Sequence, residues 1–424
     1  MGRSRLHVWI FLGMIVGAGV GLPLNILAER GDIDEQVPRR LAGFGHEVGS
    51  LFLRLLQMIV VPLIITSMIS GVAGIGDLRR LGRIGARTFA FFLITGLLAM
   101  ALGLVMVNLI RPGVGADLHS LQAVAESAPA TQPGLAGTPG EVVWRQIVAM
   151  IPRNPLAAAA AGDMLPVIFF SLLTGVFISL AEPRHRDVLV SFFAAAFHVT
   201  MQMTQFVILL APVGVLGFML YAAAGKGLGV FASLGWYMLT VFLGLLIHTV
   251  VTLPLLIRFA ARRSPVEFIK AMSPVIVTAF STSSSNATLP VTMQCVEQRA
   301  GISNRISSFV LPLGATINMN GTALYELVAV LFIAQAYGRD LAPAQQLAVA
   351  FTALLVSVGS AGIPHAGTVL MFIVCNAAGV PADAVGLILA VDRVLDMCRT
   401  VVNVFSDAVV CAIVARHEPD LAHE

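Results

Sequence analysis

Residues 392–407 read D-R-V-L-D-M-C-R-T-V-V-N-V-F-S-D, inside an apolar run that continues to about Val414. On a helix, Asp392, Asp396, Arg399, Asn403 and Asp407 step by four, three, four and four residues, a stripe about 80° wide. Three carboxylates, a guanidinium and an amide therefore share one face. Val391, Leu395, Val401, Val402, Val404 and Val409 around them suit lipid or packed neighbours. A charge at bilayer depth costs about 2.5–3.5 kcal/mol even on the lenient insertion scale. Two readings account for that load: an ion-pair ladder locking helices together, or a polar stripe lining a site for a solute and ions.

The whole chain agrees with a membrane setting. Its 424 residues are 57% hydrophobic and 12% charged, with a mean hydropathy of +0.89. Soluble domains carry about a quarter charged residues, so the chain reads as a polytopic membrane protein. Cys295, Cys375, Cys398 and Cys411 stand singly in apolar segments and read as core residues. The basic start, Met1-Gly2-Arg3-Ser4-Arg5, lacks an A-x-A cleavage site and leads into an expected first span. It also lacks the Ser or Thr that myristoylation favours.

That first span covers about residues 6 to 27, with Gly13, Gly17 and Gly21 at fourfold spacing for close helix packing. A polar loop over about 29–40 leads to a second span, about 46–73, then a basic connector, 77–87, and a third span, about 88–109. Residues 112–141, rich in Ala, Gly, Pro and Ser, read as a long exposed loop. Apolar segments resume at about 154–181, 188–224 and 228–258. The segment at 188–224 is too long for an upright span, and a kink is expected near Pro212-Val213-Gly214. Lys and Arg fall in alternate loops, which puts both termini in the cytoplasm.

Two later segments are interrupted at membrane depth. S-T-S-S-S-N-A-T-L-P breaks one at 281–290, and G-S-A-G-I-P-H-A-G-T breaks the other at 359–368. Each arm is about 10 to 15 residues, too short to cross a core of about 30 Å, so each pair is expected to enter and turn back. Irregular backbone is tolerated there only where protein or a cavity satisfies it. Between these hairpins, L-P-L-G-A-T-I-N-M-N-G-T-A-L-Y-E, residues 311–326, sets poor helix formers in mid-span. Local unwinding would free carbonyl oxygens, hard ligands suited to Na⁺. By itself N-x-N-G is equally readable as a polar kink; beside two hairpins and a charged stripe it points to a cation site. The sequon Asn286-Ala287-Thr288 lies at membrane depth and carries no such meaning.

Four motifs, S-S-S-N-A-T-L-P-V-T, G-A-T-I-N-M-N-G-T-A, G-S-A-G-I-P-H-A-G and L-D-M-C-R-T-V-V-N-V-F-S-D, occur in the order and at the spacing of the glutamate transporter family. The chain resembles these dicarboxylate/amino acid:cation symporters, which include archaeal aspartate and animal excitatory amino acid transporters. The first half, including R-L-L-Q-M-I-V-V-P-L-I at 54–64, resembles it more loosely. The resemblance implies an all-α polytopic fold of eight transmembrane helices plus two re-entrant helical hairpins, built as inverted repeats, with an elevator motion and a homotrimeric assembly. It implies scaffold helices at 1–82 and 112–225. Helix 3 at 83–111 would join a transport domain at 226–416: helix 6, hairpin 1 (about 266–296), helix 7 (about 303–335), hairpin 2 (about 344–380) and helix 8 (about 383–415). A tail, 417–424, would be cytoplasmic.

The resemblance also assigns residues. Arg399 matches the guanidinium that grips the substrate's side-chain carboxylate, Asp396 the acceptor of its α-ammonium, and Asn403 the amide near its α-carboxylate. Ser284, Ser285, Thr322 and Thr400, with Gly362, Ile363, Pro364 and Gly367 of the second tip, complete the implied pocket. One sodium site would use Asp407 with Gly314, Asn318 and Asn403. A second would use Thr316, Met319, Ser357, Val358 and Ser360. Asp392 belongs to the same polar layer.

The chain departs from the family pattern in places. Asn320 stands where a carboxylate helps hold a third sodium, with Thr95 opposite it and Gly96 in place of a small hydroxyl. An uncharged amide binds a cation less firmly than a carboxylate. Glu326 sits where proton-coupled relatives keep an acid, and a buried carboxyl there can exchange a proton near neutral pH. The expected coupling is therefore a proton with at most two sodium ions, the alternative being a Glu326 that never titrates. Ser283 and Met397 replace family arginines near Asp396, implying a less cationic pocket. His365 in the second tip is either a pH-sensitive gate or an inert tip residue.

Arg399 argues against neutral amino acids and Asp396 against plain C4-dicarboxylates. Together they imply symport of L-glutamate or L-aspartate with H⁺ and/or Na⁺, C4-dicarboxylates being the alternative and an ion channel a distant one. The implied partners are an acidic amino acid, the lipid bilayer and further copies of the chain, in a cell inner membrane; no covalent cofactor and no nucleic acid are implied. Enzyme chemistry is not expected, because Asp392 and Asp396 sit on one helix and the 281–285 serines have no placed base.

Overall fold

The computed structural model describes residues 6–73, 82–115, 141, 144, 147–161, 163–227, 229–358, 366–381 and 385–418. All regular structure among them is helical. Seven of these helices are long and apolar enough to cross a membrane, and shorter apolar helices accompany them.

The first group begins with α1 (Leu6–Glu29) and α2 (Gln36–Ala73). At about 1.5 Å per residue α2 is far longer than a bilayer core is thick. It starts ten residues before the expected span. Its first turns are held by Glu35–Arg39 and Gln36–Arg40 bonds and bury Pro38, Ala42 and Gly45 on one side, so polar residues on the other do not stop it. α3 (Gly82–Ile110) likewise starts earlier than expected. The connector at 74–81 and the loop at 116–140 lie outside the described residues.

Next come α4 (Pro155–Ala161), α5 (Met164–Leu180), α6 (Pro183–Ile208) and α7 (Ala211–Lys226). The long segment expected to kink near Pro212 is divided at Leu209-Leu210, with Pro212 in the first turn of α7, where its missing N–H costs nothing. Gly13, Gly17 and Gly21 face α7. A methyl added to them would lie 2.5 Å from the Pro212 carbonyl, 2.8 Å from that of Leu216 and 2.6 Å from the Ala223 Cβ. The small-residue stripe is thus a helix–helix seam.

α8 (Gly229–Ile247) continues through a π turn (His248–Thr252) into α9 (Leu253–Phe259). Pro254, at the start of α9, cannot donate to the ladder, and the Leu253 N–H reaches back five residues to the His248 carbonyl. The apolar segment expected at about 228–258 is thus one helical run with a π turn inside it.

The last third holds two short-armed pairs around a broken helix. α10 (Pro265–Thr282) and α11 (Ser285–Gln298) pack against one another across a two-residue tip. α12 (Asn304–Ile317) and α13 (Asn320–Ala336) are separated at Asn318-Met319, where expected unwinding occurs. α14 (Pro343–Ser357) and α15 (Ala366–Ala378) form the second pair, and α16 (Val385–His417) closes the chain. α13 exposes no face and is buried along nearly its whole length, between α3, α14, α15 and α16. The centre of the molecule is therefore α13 beside α16.

Candidate functional site

The stripe predicted on α16 is inward-facing and buried. Asp392, Asp396, Arg399, Asn403 and Asp407 are each no more than 3% exposed. Arg399 Nη1 donates to Asp392 Oδ1 at 2.9 Å and Nε to Asp396 Oδ1 at 3.0 Å. Its Nη2 lies 2.8 Å from the same Asp396 oxygen but without hydrogen-bond alignment, so that donor remains unsatisfied. The guanidinium also lies over the Tyr325 ring, 4.3 Å from its centroid, an orientation that favours a planar cation. Thr400 donates to the Asp396 carbonyl one turn back on its own helix.

Asn403 joins α16 to the break in the neighbouring helix. Its Oδ1 accepts from the Gly321 N–H at 2.8 Å. Its Nδ2 donates to Thr322 Oγ1 at 3.1 Å and contacts Met319 Sδ at 3.2 Å. Gly321 makes this approach possible, since a Cβ there would stand 2.6 Å from the Arg399 carbonyl. Gly367, near the start of α15, is equally close: its Cβ would meet Thr322 Cγ2 at 2.8 Å and Arg399 Nη1 at 3.3 Å. The break, the second hairpin and the charged stripe thus converge on Arg399.

A second centre lies about two turns further along α16. Asp407 Oδ1 accepts from Asn318 Nδ2 at 2.8 Å, and no basic side chain pairs with this carboxylate among the described residues. Gly314 packs so tightly against Asp407 that a methyl group there would overlap the carboxylate. Asn318 Nδ2 also reaches Ser406 Oγ at 3.1 Å, and Thr95 Oγ1 lies 3.3 Å from Asn318 Oδ1. Asn320 Nδ2 donates to Ser406 Oγ at 2.7 Å. Among the described residues no three His, Cys, Asp or Glu converge as a metal cluster; the oxygens here belong to a single carboxylate, amides and hydroxyls. That is a hard donor set suited to an alkali cation.

The other predicted residues fall around these two centres. Ser284 and Ser285 are buried at the first tip, where Ser284 Oγ caps α11 by accepting from Ala287 N. Ser283 adopts φ 50°, the left-handed turn that reverses the hairpin. Thr316 Oγ1 bonds the Pro312 carbonyl and Ser357 Oγ the Leu354 carbonyl, each within its own helix, with Val358 next to Ser357. Gly362, Ile363, Pro364, Ser360 and His365 lie outside the described residues. Glu326 is fully buried on α13, and among the described residues neither carboxyl oxygen has a hydrogen-bond partner.

Sequence reading missed two participants. Ser406, beside Asp407, receives both asparagine amides, and a hydroxyl among valines was the available signal. Arg393 places Nη1 3.5 Å from Asp396 Oδ2, which corrects the expectation of a less cationic pocket. Its i,i+3 spacing to Asp396 was visible in the sequence.

Residues 6–417 match the sequence profile described as the sodium:dicarboxylate symporter family. The chain belongs to this family. It is 34% identical to excitatory amino acid transporter 3 of Bos taurus, over 98% of this chain and 86% of that protein. It is 33% identical to the proton/glutamate-aspartate symporter of Escherichia coli K12, over 87% and 84% of the two. Against the neutral amino acid transporter B(0) of Homo sapiens it is 36% identical, over 96% and 79%. Membership makes the chain a membrane transporter, not an enzyme. Identity alone does not separate acidic from neutral solutes, because both kinds of relative match about equally well.

Proposed function

We propose that the chain is a secondary active symporter of L-aspartate or L-glutamate, driven by a proton and at most two sodium ions. Arg399 is the observation that carries this reading. A fully buried guanidinium, paired with Asp392 and Asp396 and packed against Gly367, with its Nη2 out of line for a hydrogen bond to Asp396, suits an anionic group on the solute. Asp396 supplies the complement for an α-ammonium, which a C4-dicarboxylate lacks. Asn403 and Thr322, with Thr400 and the tip residues Ser284, Ser285, Gly362, Ile363, Pro364 and Gly367, complete the pocket in this reading.

Asp407, with Gly314, Asn318 and Asn403, holds one sodium; Thr316, Met319, Ser357, Val358 and Ser360 hold the second. The Asn320 amide already bonds Ser406, and the site it shares with Thr95 holds no third ion in this reading. Glu326 carries the proton: an ionised carboxylate there would have no donor, whereas the neutral acid leaves only one O–H unsatisfied. Ion coupling follows from the cost of leaving Asp407 charged and unpaired at membrane depth.

The architecture in this proposal is eight spans with two re-entrant hairpins, in an inner membrane with both termini cytoplasmic. α1, α2 and α5 to α7 form a homotrimeric scaffold; α3, α8, the hairpins, α12, α13 and α16 move together as the transport unit. The dense packing of α7 on α1 and α2, separate from that of α13 on α3 and α16, supports the division.

Uptake of labelled L-aspartate and L-glutamate into proteoliposomes tests the proposal, with a Na⁺ gradient, a pH gradient, both or neither. Accumulation that needs both ions supports it. Accumulation of succinate instead of either amino acid would replace the substrate assignment, and uncoupled equilibration would favour a channel.

A further inference from the structure

The acids of the α16 stripe are not balanced by Arg399 alone. Asp392, Asp396 and Asp407 are buried, and Arg399 pairs with the first two. Among the described residues, Arg393 is the other guanidinium paired with an acid of the stripe. It lies on the Thr400 flank of the stripe, about 60° round the helix from Asp396 at 100° per residue. Its side chain is only 14% exposed, Nη1 stands 3.5 Å from Asp396 Oδ2, and Nε is buried without a partner among the described residues. A long cation drawn in at this depth, with an unsatisfied donor, is not the solvated face that an i,i+3 pair usually marks.

We propose that Arg393 is a specificity-determining residue: the second fixed cation of the solute site, holding the far oxygen of Asp396 and biasing the site toward solutes of net negative charge. This rests on the acidic amino acid reading above and deepens it. With Arg399 alone, the stripe's three carboxylates would leave two negative charges before a solute arrives; Arg393 reduces this to one. An acidic amino acid then brings the total to two, which the two sodium ions of the reading above neutralise while the proton neutralises Glu326, so the charges of the stripe, its solute and its ions cancel. Asp396 has its Oδ1 held by Arg399 and its Oδ2 near Arg393 at a distance beyond a direct hydrogen bond. The looser contact is the one that an incoming ammonium can share. Arg393 keeps its partial hold and offsets the carboxylate's field, which a neutral solute does not need and an anionic one does.

The test compares wild type with Arg393→Gln and Arg393→Lys in proteoliposomes. It measures KM for L-aspartate and the inhibition constant of L-asparagine, an isostere with an uncharged side chain. In the Gln variant the preference for aspartate over asparagine is expected to fall about tenfold, through KM rather than maximal rate, and the Lys variant should keep most of it. An unchanged preference in the Gln variant overturns the proposal. So does an equal loss in both variants, which would mark a packing role that any change of shape disturbs. Wild type preferring asparagine or succinate would defeat the acidic amino acid reading. The change in charge preference between wild type and Arg393→Gln would still decide Arg393, read with whichever solute is transported.

Discussion

Asn320 donates from its amide nitrogen to the hydroxyl of Ser406 at 2.7 Å, tying the first turn of α13 to the middle of α16. A hydrogen bond between two neutral groups thus closes the layer that also holds Thr95, Asn318 and Asp407. Both groups are buried, and the pair joins the two helices directly. Asn320→Asp combined with Ser406→Gly replaces the donor with a carboxylate and clears the hydroxyl it met. The double variant is expected to need one more sodium ion per solute, read as a shifted reversal potential in proteoliposomes. An unchanged stoichiometry would mean that this layer has no room for a cation.

Arg399 is expected to tolerate no substitution. Its removal abolishes the grip on an anionic solute and breaks the bonds it makes to Asp392 and Asp396. Arg399→Lys should lower aspartate uptake at least about a hundredfold, since an ammonium cannot reach both carboxylates and a solute in one plane. Uptake within threefold of wild type would remove the guanidinium from the solute site.

Glu326→Gln separates proton from sodium drive. The proton travels inward with the solute in the proposed cycle, so acidifying the outside accelerates wild-type uptake and alkalinising it slows the cycle. Glutamine is a permanent stand-in for the protonated acid. The variant should lose acceleration by a pH gradient while exchange of internal for external aspartate survives. A variant that still accumulates aspartate under a pH gradient alone would exclude Glu326 as the carrier.

The fold was legible in the sequence where physics is local. The spacing of Asp392, Asp396, Arg399, Asn403 and Asp407 defined one inward face, and the Asn318-Met319 break follows from poor helix formers in mid-span. The divided segment near Pro212 and the Gly13–Gly17–Gly21 seam were readable for the same reason. Ser406 was not, because its importance lies in two amides some 86 to 88 residues away in sequence. The role of Arg393 needed the side chain's direction, which spacing leaves open between lipid headgroups and Asp396. The π turn at His248 depends on how Pro254 is accommodated, and several helical adjustments could have done so.

Phe218 of α7 fills a notch lined by glycine on both neighbours. A methyl at Gly49 of α2 would meet its ring at 2.8 Å, and one at Gly386 of α16 would overlap it outright. Gly49 and Phe218 belong to the proposed scaffold, whereas Gly386 belongs to the proposed moving unit. If the two units slide, the Phe218–Gly386 contact must break and reform in every cycle, and the contact with Gly49 must not. Gly386→Val should therefore slow maximal uptake about tenfold with KM within about threefold, because the obstacle lies in the path of motion and not in the pocket. Phe218→Ala in the same chain removes the obstacle and should recover most of the rate, a coupling that independent effects would not show. Gly49→Val should instead lower thermal stability, because its neighbour never moves away. Rates that combine additively at 218 and 386 would mean that these helices stay together throughout transport, and the boundary between the two units would have to be drawn elsewhere.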